Sequence, residues 1–329
     1  MARFASKRGA PAERTYFSTG STLLNLAAGG AATPGWAIGR VINIVGDKST
    51  GKTLLAIEAC ANFAALFGGA AIRYAEVEAA FNRDYAYTMG MPRDAQYTED
   101  VHTIEDFERD LDTWLDQQKT ANLYVLDSLD ACSSQAEMER EVGEASYGQE
   151  KAKALSQLFR KVIKKLHEKK CTLIVISQLR DNIGARFGET KKRSGGHALD
   201  FYASQVFWLA QIKSLKKIVT KVERVVGVEI RARNKKNKIG KPYRQVDFSI
   251  IFGYGVADEL SMIDWLKENK GEDLLPEPAL TYPKRLEAAF KDKDRSSVET
   301  IREELRAAVA ARWEEIEDAL EPPMRKYGT

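Results

Sequence analysis

The sequence predicts an α/β fold in which a mostly parallel central sheet is flanked by helices and followed by a small, mainly helical C-terminal region. Three observations lead to this prediction: apolar β-rich runs alternate with amphipathic stretches, a glycine-rich loop joins the first run to a helical segment, and a helical pattern closes the chain. The length of 329 residues and the 44% hydrophobic content allow one large core with a small appendage.

Strand-like and helix-like segments alternate through the first half of the chain. Apolar runs lie at 41–45, 70–75, 123–126 and 172–176, separated by amphipathic stretches such as 53–67 and 149–167. Closely spaced strand candidates follow at 205–211, 225–232 and 246–252. The first set predicts a parallel sheet, and the second predicts a more antiparallel edge to the same sheet.

A helical pattern follows the core, which is predicted to end near Trp265. Ser296 and Glu299 have the spacing of a capping box, which predicts a helix running to about Leu320. We expect its apolar stripe to dock onto the rest of the protein, with partner binding as the alternative. The stripe comprises Val298, Ile301, Leu305, Val309, Trp313, Ile316 and Leu320. The predicted domains are a short basic arm (1–16), a core (17–268) and a C-terminal helical domain (269–329).

Composition argues against a membrane or disulfide-rich protein. No apolar run approaches the roughly 18 to 20 residues that span a bilayer, and residues 1–14 are basic without an apolar signal core. We therefore expect a cytoplasmic protein with no membrane partner. Cys60, Cys132 and Cys171 are widely spaced within apolar segments, which predicts buried free thiols.

The net charge of +3 hides a strong asymmetry along the chain. Residues 258–329 carry 12 Lys/Arg against 18 Asp/Glu, so the remainder of the chain is basic. Residues 212–244 alone contain 12 Lys/Arg and only two glutamates. This concentration predicts a surface that binds a polyanion, and a solvated basic face is the alternative.

The glycine-rich loop has the complete G-x-x-x-x-G-K-[ST] pattern of a phosphate-binding loop, so the core is predicted to be that of a P-loop nucleoside triphosphatase. Its residues are Gly46, Asp47, Lys48, Ser49, Thr50, Gly51, Lys52 and Thr53. Backbone N–H groups of such a loop and the start of the next helix bind phosphates. Lys52 is expected to reach the β- and γ-phosphates and Thr53 to ligate Mg²⁺, so ATP and Mg²⁺ are the predicted cofactors.

Carboxylates at other strand ends complete the predicted site. Asp127 follows an apolar strand and is predicted to contact Mg²⁺. Glu76 and Glu78 end another strand, and the ends of parallel strands meet at one edge of a sheet. Hydrolysis needs a carboxylate there to orient and deprotonate water, but spacing alone does not choose between the two glutamates.

Several motifs together resemble the RecA family of DNA strand-exchange recombinases over residues 17–265. They lie at 18–21, 46–53, 75–79, 125–128, 141–148, 177–188, 195–204 and 235–239, in the family's order and spacing. The resemblance implies a RecA-like core, a filament on single-stranded DNA, pairing with homologous double-stranded DNA, and mediator or single-strand-binding proteins as possible partners.

The resemblance also implies roles for residues around the nucleotide. It makes Glu78 the catalytic glutamate and Gln178 the γ-phosphate sensor. Tyr85 matches the residue that stacks on adenine, and Asn82 replaces an aspartate near the base. Lys236 and Lys238 match a pair that reaches the neighbouring subunit's γ-phosphate, and the interface residue Phe201 links the DNA loop to that contact.

Two segments, 141–148 and 181–195, resemble the family's DNA-binding loops. The second combines cations with apolar side chains, a composition suited to stretched single-stranded DNA, although a disordered surface loop is the alternative. The DNA-binding residues implied are Lys153, Arg160, Arg180, Ile183, Gly184, Arg186, Phe187, Lys191, Lys192, Arg193, Gly195 and Gly196.

These residues predict an ATP-dependent DNA recombinase that forms a filament, exchanges strands and hydrolyses ATP at subunit interfaces when DNA is bound. The alternative is a RecA-fold ring motor or regulatory ATPase that binds nucleic acid without exchanging strands. The chain departs from the family pattern in its short N-terminal arm, in Arg186, which replaces a usual methionine, and in a C-terminal region with little resemblance.

Overall fold

The computed structural model describes residues 15–31, 34–139, 149–181, 191–193 and 196–323. Its strands are β1 (Tyr16–Phe17), β2 (Trp36–Ala37), β3 (Val41–Gly46), β4 (Ile72–Glu76), β5 (Gln96–Thr98), β6 (Asn122–Asp127), β7 (Cys171–Asp181), β8 (Lys191–Arg193), β9 (Gln205–Val219), β10 (Val222–Asn237), β11 (Gln245–Ile251) and β12 (Gly255–Val256). Its helices are α1 (Thr22–Gly29), α2 (Lys52–Phe67), α3 (Arg83–Thr88), α4 (Ile104–Gln117), α5 (Gln135–Met138), α6 (Gln149–Glu168), α7 (Gly196–Tyr202), α8 (Asp258–Glu268), α9 (Tyr282–Lys291) and α10 (Arg295–Ala319).

A ten-stranded sheet dominates the described part of the chain. Its order is β12-β11-β10-β9-β3-β7-β6-β4-β5, and β8 pairs with β7 outside this path. The strands from β9 to β5 in this order are parallel, whereas β10, β11 and β12 pair antiparallel. The predicted fold class and the predicted antiparallel edge are therefore confirmed.

Both faces of the parallel strands are covered by hydrophobic clusters. On β3, Ile42 and Ile44 belong to one cluster, while Val41 and Val45 belong to the other. Helices α1, α2, α8, α9 and α10 contribute to the first cluster, and α4, α6 and α7 contribute to the second. Such cover is what crossover helices provide for a parallel sheet, and it leaves the carboxyl ends of the strands as the edge where ligands bind.

The C-terminal helices pack onto the first cluster. Trp313 of α10 stacks on Trp265 of α8 with ring centroids 5.9 Å apart, and Arg302 pairs with Glu259 at 2.5 Å. Docking of the predicted stripe is confirmed for its first five residues, which are buried, whereas Leu320 is 66% exposed. The domain boundaries stay predictions.

The start of α10 differs from the prediction. Asp294 is the N-cap, and its Oδ1 accepts the N–H groups of Ser296 and Ser297 at 3.0 and 3.1 Å. Ser296 lies inside the first turn, and Glu299 pairs with Arg302. The predicted capping box was wrong by two residues because an upstream carboxylate caps these amides and also suits the positive end of the helix dipole.

Strands β9 and β10 are much longer than predicted, with 15 and 16 residues. Their far end, residues 211–226, is termed the distal hairpin, and 211–225 are exposed apart from the half-buried Leu215. Because this part packs against no core, its apolar pattern was too weak to predict its strands. The ladder between the two strands nevertheless continues to Val219 and Val222. The distal hairpin carries Lys213, Lys216, Lys217, Lys221 and Arg224.

Two simpler expectations concern the thiols and membrane spans. Cys60, Cys132 and Cys171 are all buried, as predicted. Within the described ranges, no helix is both long enough and apolar enough to cross a bilayer.

Candidate nucleotide site

The phosphate loop joins β3 to α2 at the carboxyl edge of the sheet. Gly51, the N-cap of α2, has a φ of 77° and provides no side-chain acceptor for the first helical N–H groups. A Cβ on Gly51 would overlap Ile250, and one on Gly46 would overlap Thr50. Asp47, Lys48 and Ser49 form the exposed tip of the loop. Glycine therefore permits the tight turn, and the helix start offers amides to an anion.

Lys52 begins α2 and points back into the loop. Its Nζ donates to the Asp47 carbonyl oxygen at 2.6 Å, and the Thr50 hydroxyl donates to the same oxygen at 2.9 Å. Burial lowers the pKa of Lys52, and this effect is opposed by the carboxylates of Asp127 and Glu78. The ammonium therefore lies among negative groups at the loop, where a phosphate would supply a further partner.

Asp127 lies at the end of β6 and is buried. Its Oδ2 accepts hydrogen bonds from the Thr53 hydroxyl at 2.8 Å and the Tyr74 phenol at 2.7 Å. Burial raises the pKa of Asp127 to about 6, although these two hydrogen bonds act to lower it. A hydroxyl beside a carboxylate is a set of hard oxygen donors, and it therefore fits Mg²⁺.

The two glutamates after β4 have different surroundings. The buried Glu76 accepts the N–H groups of Glu78 and Ala80 through its Oε1, at 2.9 and 3.3 Å, and so supports the loop that follows β4. Glu78 is exposed, and its Oε1 accepts the Ser128 hydroxyl at 2.6 Å and the Gln178 amide at 3.0 Å. Of the two carboxylates, Glu78 is thus the one that links β4 to the ends of β6 and β7.

A cavity of about 710 Å³ lies over the phosphate loop. Thr53, Glu78, Asn82, Tyr85, Asp127 and Phe252 are among its lining residues. Asn82 Oδ1 accepts the N–H of Tyr85 at 2.9 Å and caps α3. Tyr85 and Phe252 are 46% and 53% exposed, so both aromatic rings are available to a ligand.

Lys236, Lys238 and Phe201 form a separate group outside this cavity. Lys236 donates to the carbonyl oxygens of Asp200 and Phe201, at 3.0 Å for the latter. Lys238 donates to the Phe201 carbonyl oxygen at 3.1 Å and lies 5.7 Å from the centre of its ring. The Phe201 side chain is 69% exposed. The three predicted interface residues therefore lie together, and both lysines contact the end of α7.

The predicted DNA-binding residues are only partly within the described structure. Lys153 and Arg160 are exposed on α6 and, seven residues apart, lie on one face of that helix. Backbone pairing places Arg180 opposite Lys192 between β7 and β8, strands that also hold Lys191 and Arg193. Gly196 begins α7. The segment 141–148 and the residues Ile183, Gly184, Arg186, Phe187 and Gly195 lie outside the described residues.

Several residues of the site were not predicted from the sequence, among them Tyr74, Ser128 and Phe252. Tyr74 and Ser128 contact the predicted carboxylates, and Phe252 lines the cavity. The sequence signals were a tyrosine within an apolar strand, a serine directly after Asp127, and an aromatic residue before Gly253 at a strand end. None of these signals indicates a nucleotide site unless the positions of the neighbouring strands are known.

Comparison with known proteins places the chain in a family. Residues 7–257 match the family model described as the RecA N-terminal domain. Protein RecA of Streptomyces venezuelae is 35% identical over 247 residues, which cover 75% of this chain and 62% of the relative. Protein RecA of Streptomyces coelicolor is 35% identical over 251 residues, covering 76% and 64%. Protein RecA of Leifsonia xyli is 35% identical over 263 residues, covering 80% and 70%.

The match therefore spans less than two thirds of the two Streptomyces proteins. The family-model match includes the phosphate loop, both carboxylate-bearing strand ends and the segment from β7 to β11. On the extent of the family match and the identity to these relatives, the chain belongs to the RecA family.

Proposed function

We propose that the chain is an ATP-dependent DNA recombinase. It forms a filament on single-stranded DNA, pairs that strand with homologous double-stranded DNA and exchanges strands. ATP hydrolysis takes place at subunit interfaces and is stimulated by DNA. Family membership supports this proposal, and the arrangement around Glu78 is the observation that carries it.

In that arrangement, the Glu78 carboxylate, which lines the nucleotide cavity, is hydrogen-bonded to β7, the strand that leads into the predicted DNA-binding loop. Glu78 accepts the Gln178 amide, and β7, which contains Gln178, continues to Asp181, the first residue of the segment that resembles a DNA-binding loop. A γ-phosphate that drew the Gln178 amide away from Glu78 would change the end of β7 and leave the carboxylate with the Ser128 hydrogen bond alone. ATP binding and DNA binding are therefore coupled through one side chain.

For hydrolysis, we assign Glu78 as the base that orients water and accepts its proton. Its exposure allows access to water, whereas the carboxylate of Glu76 is buried and accepts backbone N–H groups. Lys52 and the loop amides hold the phosphates, and the exposed rings of Tyr85 and Phe252 offer aromatic surfaces to the base.

Thr53 and Asp127 are the residues that would hold Mg²⁺ with the nucleotide. The ion would neutralise charge on the β- and γ-phosphates. The paired hydroxyl and carboxylate support this assignment because both are oxygen donors at the cavity wall.

Lys236 and Lys238 complete the site of a neighbouring subunit in this proposal. In the single chain they contact carbonyl oxygens of α7, and neither lines the cavity described above. Supplying two cations from an adjacent copy makes hydrolysis depend on assembly, as expected of a head-to-tail filament.

The test measures ATP hydrolysis by the full chain with and without single-stranded DNA, then follows exchange between that strand and a homologous duplex in the same reactions. We expect DNA-stimulated hydrolysis and joint-molecule formation that requires homology. Stimulated hydrolysis without exchange contradicts the recombinase proposal and favours a motor that moves on nucleic acid. No hydrolysis under either condition contradicts the proposed enzyme altogether.

A further inference from the structure

The carboxylate of Asp127 is held by a hydrogen bond from outside the phosphate loop. Tyr74 lies on β4, which pairs in parallel with β6, and its phenol donates to Asp127 Oδ2 at 2.7 Å. The Thr53 hydroxyl donates to the same oxygen at 2.8 Å from the start of α2. Two donors on two different elements thus fix one oxygen, and among the described residues Oδ1 accepts no hydrogen bond.

The Tyr74 ring is itself fixed. It is fully buried, and its centroid lies 4.8 Å from that of Phe81 and 6.0 Å from that of Tyr97. Phe81 also lines the nucleotide cavity. Because this packing prevents the ring from rotating away, the Tyr74 hydroxyl stays in a fixed position beside the Asp127 carboxylate.

We propose that Tyr74 is a positioning residue for the magnesium site, acting through the Asp127 carboxylate. This inference rests on the proposed nucleotide and magnesium site but not on strand exchange. Tyr74 holds Oδ2 of Asp127, a residue that lines the cavity, and so leaves Oδ1 for an ion or its bound water. Groups that orient a metal-binding side chain typically change metal affinity about 10- to 100-fold when removed.

The test uses Tyr74→Phe in the full chain, because this change removes one oxygen atom and keeps the packed ring. Affinity for fluorescently labelled ADP is measured in Mg²⁺ and in EDTA. We expect affinity in Mg²⁺ to fall about tenfold, with affinity in EDTA unchanged. An equal loss in both conditions, or no loss in Mg²⁺, overturns the role of Tyr74.

Tyr124→Phe is the matched control. Tyr124 is fully buried on β6 and donates to Asp110 Oδ2 at 2.8 Å, so its variant loses the same chemical group from another tyrosine–aspartate pair. Tyr124 packs in the second hydrophobic cluster, on the other face of the sheet from Tyr74. We expect it to leave both affinities unchanged. A selective loss in Mg²⁺ for Tyr124→Phe overturns the specificity claimed for Tyr74.

A double-mutant cycle tests whether Tyr74 acts through Asp127. In an Asp127→Asn background, Tyr74→Phe is expected to cause no further loss of the magnesium-dependent affinity, and an additional tenfold loss overturns the route through Asp127. Measurements on the unmodified chain distinguish failure of the proposed magnesium site from failure of the proposed role of Tyr74. If it binds labelled ADP equally in Mg²⁺ and EDTA, the magnesium site itself fails; if it shows a magnesium effect that Tyr74→Phe leaves intact, only the role of Tyr74 fails.

Discussion

The sheet edge that carries the candidate nucleotide site, termed the nucleotide edge, and the distal hairpin are stabilised by different kinds of contact. At the nucleotide edge, side chains from α2, β4, β6 and β7 interlock through short hydrogen bonds. The distal hairpin consists of two strands that pair mainly with each other and carries five exposed cations, of which Lys216 pairs with Glu223 at 2.8 Å. Removal of a single hydrogen-bonding atom is therefore expected to change activity at the nucleotide edge. At the distal hairpin, only the total positive charge is expected to affect DNA binding.

Glu78→Gln is expected to have the largest effect. Loss of the base should lower the turnover number for ATP at least about 100-fold, while ATP-dependent DNA binding persists or increases. Steady-state hydrolysis and filter binding on the same preparation measure the two properties. Glu76→Gln is the matched control and should retain more turnover, because Glu76 supports the backbone. If Glu78→Gln turns over normally, Glu76 is the base.

Ser128→Ala should have the next largest effect. Ser128 donates to the same Glu78 oxygen as Gln178, at 2.6 Å. Losing a hydrogen bond to a charged group should lower kcat roughly tenfold, while the Kd for nucleotide is unchanged. The readout is kcat beside the Kd, with Ser128→Thr expected to restore part of the rate. A raised Kd at constant kcat contradicts a role through Glu78.

The distal hairpin should respond only to several charge changes together. Replacing Lys213, Lys217 and Lys221 by Gln should reduce the slope of log affinity for DNA against log salt by about 1 to 3. Nucleotide affinity without DNA should not change. The control replaces Lys284, Lys291 and Lys293, also exposed, in the acidic C-terminal region. An unchanged slope in the hairpin variant removes this surface from the DNA site.

The smallest effect is expected where α10 meets the sheet. Arg244 donates two hydrogen bonds to Glu317, at 2.5 and 2.6 Å, and this contact lowers the pKa of Glu317 below its usual 4.5. A lowered carboxyl pKa stabilises the fold above the unfolded-state pKa, and this stabilisation disappears as pH falls through the folded-state pKa. Arg244→Ala should lower the melting temperature by about 2 °C at neutral pH.

Thermal unfolding at neutral and acidic pH measures the difference in melting temperature between Arg244→Ala and the unmodified chain. The difference should vanish only when the pH falls well below the lowered pKa of Glu317, because Glu317 is then protonated in both proteins. Arg295→Ala, an exposed change at the other end of α10, is the control and should leave the melting temperature unchanged at both pH values. A difference between Arg244→Ala and the unmodified chain that persists in acid contradicts the ion-pair explanation.

The nucleotide edge could be predicted from sequence because its signals are local. The phosphate loop lies within eight consecutive residues, and the buried strands are continuous apolar runs. The apolar stripe of α10 follows helical spacing, so its docking was also predicted. Its cap was not, because Asp294 and Ser296 are both good capping residues and only backbone geometry chooses between them.

Contacts between strands that are distant in the sequence could not be predicted from it. The hydrogen bond from Tyr74 to Asp127 depends on the pairing of β4 with β6, whose paired residues are 51 positions apart in the sequence. The length of the hairpin depends on ladder hydrogen bonds that leave no apolar pattern. For Lys236 and Lys238, the family resemblance identified a pair, but their contacts with the end of α7 required the fold.

The strand order has a consequence for how the chain folds during synthesis. β3, the first strand of the large sheet, lies between β7 and β9, so its neighbours begin only at residues 171 and 205. During synthesis, the strand that carries the phosphate loop must wait for well over half of the chain before its ladder can close on both sides. Such long sequence separations slow folding and leave unpaired edges exposed, so a nascent chain of this topology depends on protection from aggregation until β9 has emerged.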